Sequence, residues 1–173
     1  MTNTFLKNLG VLAVASCMSV SASAQTSNNL VNAKTDWSVF QENNKCWIVS
    51  APKSIKITQN GKAVTANRSA ILLFVTYDKS TGATGEVSFT SGYPLKANTP
   101  VKLQIGSSGY TLVPEGEWAW PASTSDDSKI RASMRRGATA VITGQSARGK
   151  TTTDTFSLSG FSAALDDAQK RCG

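Results

Sequence analysis

The sequence predicts a mainly β domain, an antiparallel β-sandwich or partly closed barrel with two short helices, one of them C-terminal. Three observations carry this. Apolar and polar residues alternate along several short segments, such as Val87 and Phe89 against Ser88 and Thr90, and Val101, Leu103 and Ile105. Alternation is the pattern of half-buried strands. Turn signals rich in Asn and Gly separate these segments, Asn60-Gly61 being the strongest two-residue hairpin signal. Helical spacing of apolar residues occurs only twice.

Trp37–Gln41 and Cys46–Ser50 read as a hairpin around the polar turn 42–45. Ile55 and Ile57 alternate and lead into Asn60-Gly61. Ala70–Tyr77 contains Ile71-Leu72-Leu73-Phe74-Val75, whose unbroken apolar run predicts a central strand buried on both faces. Lys79–Gly85 is expected as a loop and Glu86–Thr90 as a strand. Gly106–Gly109 turns Val101–Ile105 into a partner strand around Tyr110 and Leu112. Trp118-Ala119-Trp120-Pro121 places both tryptophans on one side of an extended segment, and Pro121 closes it. Ser125-Asp126-Asp127 supplies a cap and first-turn acids for a helix that Gly137 ends. Ala138–Thr143 and Thr151–Leu158 are expected strands around the loop 144–150. Phe161, Ala164, Leu165 and Ala168 share one face of a last helix, which carries Cys172.

The N-terminus reads as an export signal. Lys7 is the one charged residue of 1–24, Leu9–Val20 is apolar but too short to span a bilayer, and Ala22-Ser23-Ala24 offers a small-x-small cleavage site before Gln25. The alternative, a lipoprotein cut at Cys17 after Val14-Ala15-Ser16, leaves a very short apolar stretch between Lys7 and the cysteine. The expected organisation is therefore a signal peptide over 1–24, a polar disordered leader over 25–35, and one β-rich domain over 36–173. No later segment has the apolar length of a spanning helix, so an integral membrane protein is not expected.

Export leaves two cysteines, Cys46 and Cys172. In an oxidising compartment they are expected to pair. The chain has no histidine, which removes a histidine-based triad and histidine metal ligation. The carboxylate pairs Glu115/Glu117 and Asp126/Asp127 are accounted for by a turn and by a helix N-terminus. No enzyme activity, metal or cofactor is expected.

Net charge is +7, or +6 once Lys7 is removed with 1–24. A basic surface favours anionic partners, here anionic lipid, lipopolysaccharide or acidic glycan, with nucleic acid excluded by the compartment. The candidate anion-binding residues are Lys129, Arg131, Arg135 and Arg136 on the first helix, joined by Arg148 and Lys150 in the loop after it. Serine at Arg131, Arg135 and Arg148 together is expected to weaken anion binding and leave the fold intact. Trp118 and Trp120 are candidates for stacking on sugars or entering lipid, against the commoner use of tryptophan as a core anchor.

Several segments together resemble the invasion-associated locus B family of Gram-negative envelope proteins. They are Asp36-Trp37-Ser38-Val39, Lys45-Cys46-Trp47-Ile48-Val49-Ser50-Ala51-Pro52-Lys53, Ile71–Tyr77, Gly85–Phe89, Gly92-Tyr93-Pro94, Gly116–Ser123 and Asp154–Leu165. The resemblance spans Asp36 to Cys172. It implies a β-rich protein of the periplasm, outer membrane or exterior, with some pathogenic members linked to host-cell entry. It transfers no catalytic residue. The expected role is binding or adhesion to an envelope or host-surface component, with envelope maintenance as the alternative and a glycan or lipid hydrolase behind both.

Overall fold

A computed structural model describes residues 28–173. The expected signal peptide and both candidate cleavage sites lie outside the described residues. Twelve strands form one antiparallel sheet, with β1 Leu30–Lys34, β2 Trp37–Glu42, β3 Lys45–Ser50, β4 Ser54–Gln59, β5 Lys62–Ala63 and β6 Leu72–Asp78 in the first half of the chain. Then come β7 Ala83–Thr90, β8 Val101–Ile105, β9 Ser108–Glu115, β10 Trp118–Pro121, helix α1 Thr124–Arg136, β11 Thr139–Gln145, β12 Thr151–Ser157 and helix α2 Phe161–Cys172. The spatial order is β1-β2-β3-β6-β7-β10-β9-β8-β11-β12-β4-β5. Among the described residues no helix is long and apolar enough to cross a membrane.

The sheet curls on itself without closing. Phe89 on β7 and Phe156 on β12 are five strands apart in the sheet order, yet their rings meet edge to face at 6.2 Å. The Trp37 indole N–H donates to the Ser157 carbonyl at 3.0 Å across the same interior. The alternation read from the sequence supplies this core. Val87, Phe89, Val101, Leu103, Ile105, Ala140, Ile142 and Phe156 are all buried. Asn60 and Gly61 both take positive φ, 51° and 76°, as the β4–β5 turn needs.

Three expectations are corrected. Leu30–Lys34, expected within a disordered leader, is edge strand β1, paired with β2 and tied to α2 by Asn32 Nδ2 donating to Asp167 at 2.6 Å. The β6 segment is buried on one face only. Leu73, Val75 and Tyr77 point inward, while Leu72, Phe74 and Thr76 are half-buried on the outside. Strand β7 begins at Ala83 inside the expected loop, and a bulge at Gly85 (φ 94°) accommodates the extra residue.

The two helices meet each other and cover neighbouring parts of the sheet, α2 over β1, β2, β3 and β6 and α1 over β7 and β10. The cap of α1 is Ser123, two residues before the expected Ser125. Its hydroxyl accepts from the Asp126 N–H at 3.2 Å and donates to the Asp126 carboxylate at 2.8 Å. That hydroxyl and Lys129 hold the Asp126 carboxyl below the usual range. Gly137 ends α1 as expected, but at φ −85°, so a left-handed turn is not the reason for glycine. A Cβ there would lie 2.5 Å from Ile105 Cγ2. The apolar face of α2 is the one its spacing predicts, with Phe161, Ala164, Leu165 and Ala168 buried.

Gly160, at the start of α2, has φ 87°, and a Cβ would overlap the Lys34 carbonyl of β1. Gly149 has φ 81° in open space. Alanine at Gly149 should therefore cost only the left-handed penalty, about 1–2 kcal/mol. Gly160→Ala should cost about 1–3 kcal/mol more, because backbone must move. Urea unfolding of the two variants side by side tests this, and equal losses would mean that β1 is not packed there.

Candidate functional site

The cations expected to form one patch are put to separate uses. On α1, Arg131 donates to the Gly85 carbonyl, and Asp127 accepts from the Val87 N–H at 2.7 Å. This pair satisfies the part of β7 that extends past β10 and so docks the helix onto the sheet. Arg135 bridges to Asp166 of α2 at 2.5 Å, and Lys129 pairs with Asp126 at 3.0 Å. Arg136 is exposed, with no acid partner among the described residues. Strand β11 then carries the chain away for seven residues, about 20 Å at the rise of a strand. Arg148 and Lys150 thus lie at the opposite end from Arg136, and the structure does not bring the six cations together. Serine at Arg131 would also strip a docking contact.

Burial pushes the Asp127 carboxyl above its usual range, and the bond from Val87 only partly opposes this. A carboxyl raised in the folded state contributes stability that is complete at acid pH and lost as pH rises through its folded value. Asp127→Asn keeps an acceptor for Val87 without the charge. Relative to wild type it should gain stability between acid and neutral pH, and a difference that stays flat in urea unfolding would contradict this.

Trp118 and Trp120 do not anchor the core; they belong to the outer face of the sheet. Their rings stack at 6.0 Å, with Trp118 38% exposed. Phe74 on β6 packs against Trp118 at 5.7 Å, and Phe40 and Trp47 stack at 5.5 Å across β2 and β3. Between Trp47 and the Phe74–Trp118–Trp120 group runs an open groove of about 520 Å³. Thr76 and Ser88 line its floor, and Glu42, Lys45, Asp78 and Glu86 line its edges. Bonds from Ser80 hold the Asp78 carboxyl below the usual range, so it stays ionised. The groove is aromatic on both walls, hydroxyl-bearing beneath and acidic at the rim.

A second hollow, of about 300 Å³, opens beside the β11–β12 hairpin. Beneath it Arg68, from the β5–β6 connection, forms a bidentate pair with Asp154 at 2.6 and 2.7 Å, the two side chains being 5% and 0% exposed. Arg68 also donates twice to the Ser91 carbonyl and lies 4.9 Å over the Tyr93 ring. The Tyr93 hydroxyl meets Thr152 Oγ1 at 2.6 Å. Arg148, Lys150 and Glu117 line this hollow.

A family model described as invasion associated locus B (IalB) protein matches residues 38–169. The chain belongs to this family. Among solved structures, the invasion associated protein B of Bartonella henselae superposes with a TM-score of 0.51 at 18% identity, over 79% of this chain and 94% of that one. That likeness establishes a shared fold. No curated protein matches the sequence. The match to the invasion associated locus B family takes in Cys46, both aromatic groups and the hairpin, and stops before Cys172.

The disulfide between Cys46 and Cys172 forms as expected, with Cα atoms 5.7 Å apart. The family is a bacterial envelope family, and a buried disulfide suits the oxidising compartment of an exported protein. What sequence reasoning missed is Arg68 with Asp154. The signal was present, since Asp154 alternates with Phe156 and Leu158 on the inward face of its strand. An acid at such a position requires a buried basic partner.

Proposed function

We propose that this invasion associated locus B protein is a non-enzymatic binding protein, exported to the periplasm or outer membrane, that holds an envelope or host-surface component on the outer face of its sheet. The carrying observation is the aromatic groove of Trp47, Phe74, Trp118 and Trp120. Rings of this size left outside a filled core are a characteristic of recognition surfaces. The acidic rim disfavours an anionic membrane, and the hydroxyl floor suits sugars, whose C–H faces stack on aromatic rings. The family is not known for catalysis, and the one carboxyl that burial raises, Asp127, is occupied by Val87.

Cosedimentation of the exported protein with purified outer membranes and with murein sacculi tests the reading. Wild type should pellet with one of them. Trp118→Ala with Trp120→Ala should weaken that binding about tenfold or more, the scale of losing two buried aromatic contacts. Equal pelleting of wild type and the double variant would remove the groove from the function.

A further inference from the structure

We infer that the hollow beside the β11–β12 hairpin is a second binding site, shaped for a carboxylate-bearing sugar unit of an acidic glycan. It deepens the binding reading and rests on it, but shares no lining residue with the aromatic groove.

Charge comes first. Arg68 lies beneath the hollow but its charge is matched by Asp154. The two cations at the rim are not matched. Arg148 is exposed and has no ion-pair partner among the described residues, and Lys150 Nζ has only the Thr65 carbonyl at 3.4 Å. Glu117 is the one acid in the lining. The rim thus carries one positive charge in excess, which suits a monoanion.

Rigidity comes second. The hairpin tip is tied down by Ala147 N–H donating to the Pro94 carbonyl at 3.1 Å and by Ser146 Oγ accepting from the Lys150 N–H at 3.0 Å. Gly92, at φ 70°, lets its segment approach Ser69 so closely that a Cβ would lie 2.6 Å from the Ser69 carbonyl oxygen. The Arg68–Asp154 pair locks the base. A buried ion pair adds little net stability over apolar packing of the same shape, so its presence beneath a surface hollow is better explained by the fixed base it provides. A preformed cradle loses little entropy when a ligand enters.

Chemistry comes third. The Tyr93 ring, Ile57 and Pro94 give an apolar side for the C–H face of a sugar ring, while the exposed Asn67 offers an amide for its hydroxyls. A volume of about 300 Å³ is at the small end of ligand pockets, enough for one sugar unit. A bare inorganic anion would leave the apolar side unused, and a neutral sugar would leave Arg148 and Lys150 unanswered.

Calorimetric titration of the full exported chain with galacturonate, galactose and inorganic phosphate separates these cases. Galacturonate should bind, and galactose, which differs by the carboxylate, should bind at least about tenfold more weakly. Arg148→Ser with Lys150→Ser, both changes at the solvent-exposed rim, should weaken galacturonate by a similar factor with an unchanged melting temperature. Glu117→Gln should strengthen it. No galacturonate binding, equal binding of galactose, or phosphate binding as tightly as galacturonate overturns the proposal. Trp118→Ala with Trp120→Ala should leave galacturonate binding intact. Failure at the hairpin is therefore distinguishable from failure of the aromatic groove.

Discussion

Arg68→Met should lower the unfolding free energy by about 3–5 kcal/mol, because it leaves the Asp154 carboxylate buried and without its counter-charge. Asp154 is fully buried and receives both its charge-assisted bonds from Arg68, at 2.6 and 2.7 Å. The Ser91 carbonyl would lose two donors as well. Asp154→Leu should be as damaging for the converse reason, since it strands the guanidinium. Combining Arg68→Met with Asp154→Leu should recover most of the loss, because paired apolar replacements of a buried ion pair are often neutral or stabilising. Urea unfolding of the two single variants and the double variant gives the coupling directly. Additive losses would mean that the two residues do not share one desolvated environment.

This cycle also separates a stabilising role from a positioning one. If the pair serves as the fixed base of the hairpin hollow, the double variant should regain stability but not galacturonate binding. Tyr93 would lose the guanidinium it rests on, 4.9 Å from its ring centroid. A stable double variant that still binds like wild type would assign the pair to folding alone.

The strands legible in the sequence were those whose burial is decided locally. Val101, Leu103 and Ile105 alternate because one face meets the core, and no distant residue is needed to see it. The same holds for the α2 stripe of Phe161, Ala164, Leu165 and Ala168. Strand β1 was not legible, because Asn32 and Lys34 look like leader residues until α2 supplies Asp167 and β2 supplies a ladder. Phe74 was misread for a related reason. An apolar run does not say whether its outer face meets a second layer or a row of aromatics, and here it meets Trp118. The candidate cations are close along the chain but not in space. Arg136 and Arg148 are twelve positions apart, but an extended strand separates them. Arg68 and Asp154 were missed because eighty-six positions separate a pair that only the curl of the sheet brings together.

Replacing both Cys46 and Cys172 by alanine should cost about 4–5 kcal/mol, the entropy that a cross-link over 126 positions removes from the unfolded chain. The double variant avoids leaving one reactive thiol. Cys46 lies on the inward face of β3 and Cys172 in the last turn of α2, both buried at 0% and 3% exposure. Two effects could follow, and they leave different traces. If the bond acts only on the unfolded ensemble, the native sheet and α2 are undisturbed, amide exchange through α2 rises no more than elsewhere, and the denaturant midpoint falls. If the bond also holds the helix end, exchange should rise first around Gln169–Cys172 while the Phe161 end stays protected. The Phe161 end has its own anchor, since that ring packs edge to face on Trp37 at 5.0 Å. Phe161→Ala, costing about 3–5 kcal/mol as a core truncation, should then loosen the helix from its other end even with the disulfide formed. A loss below about 1 kcal/mol for the cysteine double variant would remove the cross-link from the stability of the fold. The remaining hold on α2 would then be its apolar face and the Arg135–Asp166, Asn32–Asp167 and Arg171–Gln41 contacts.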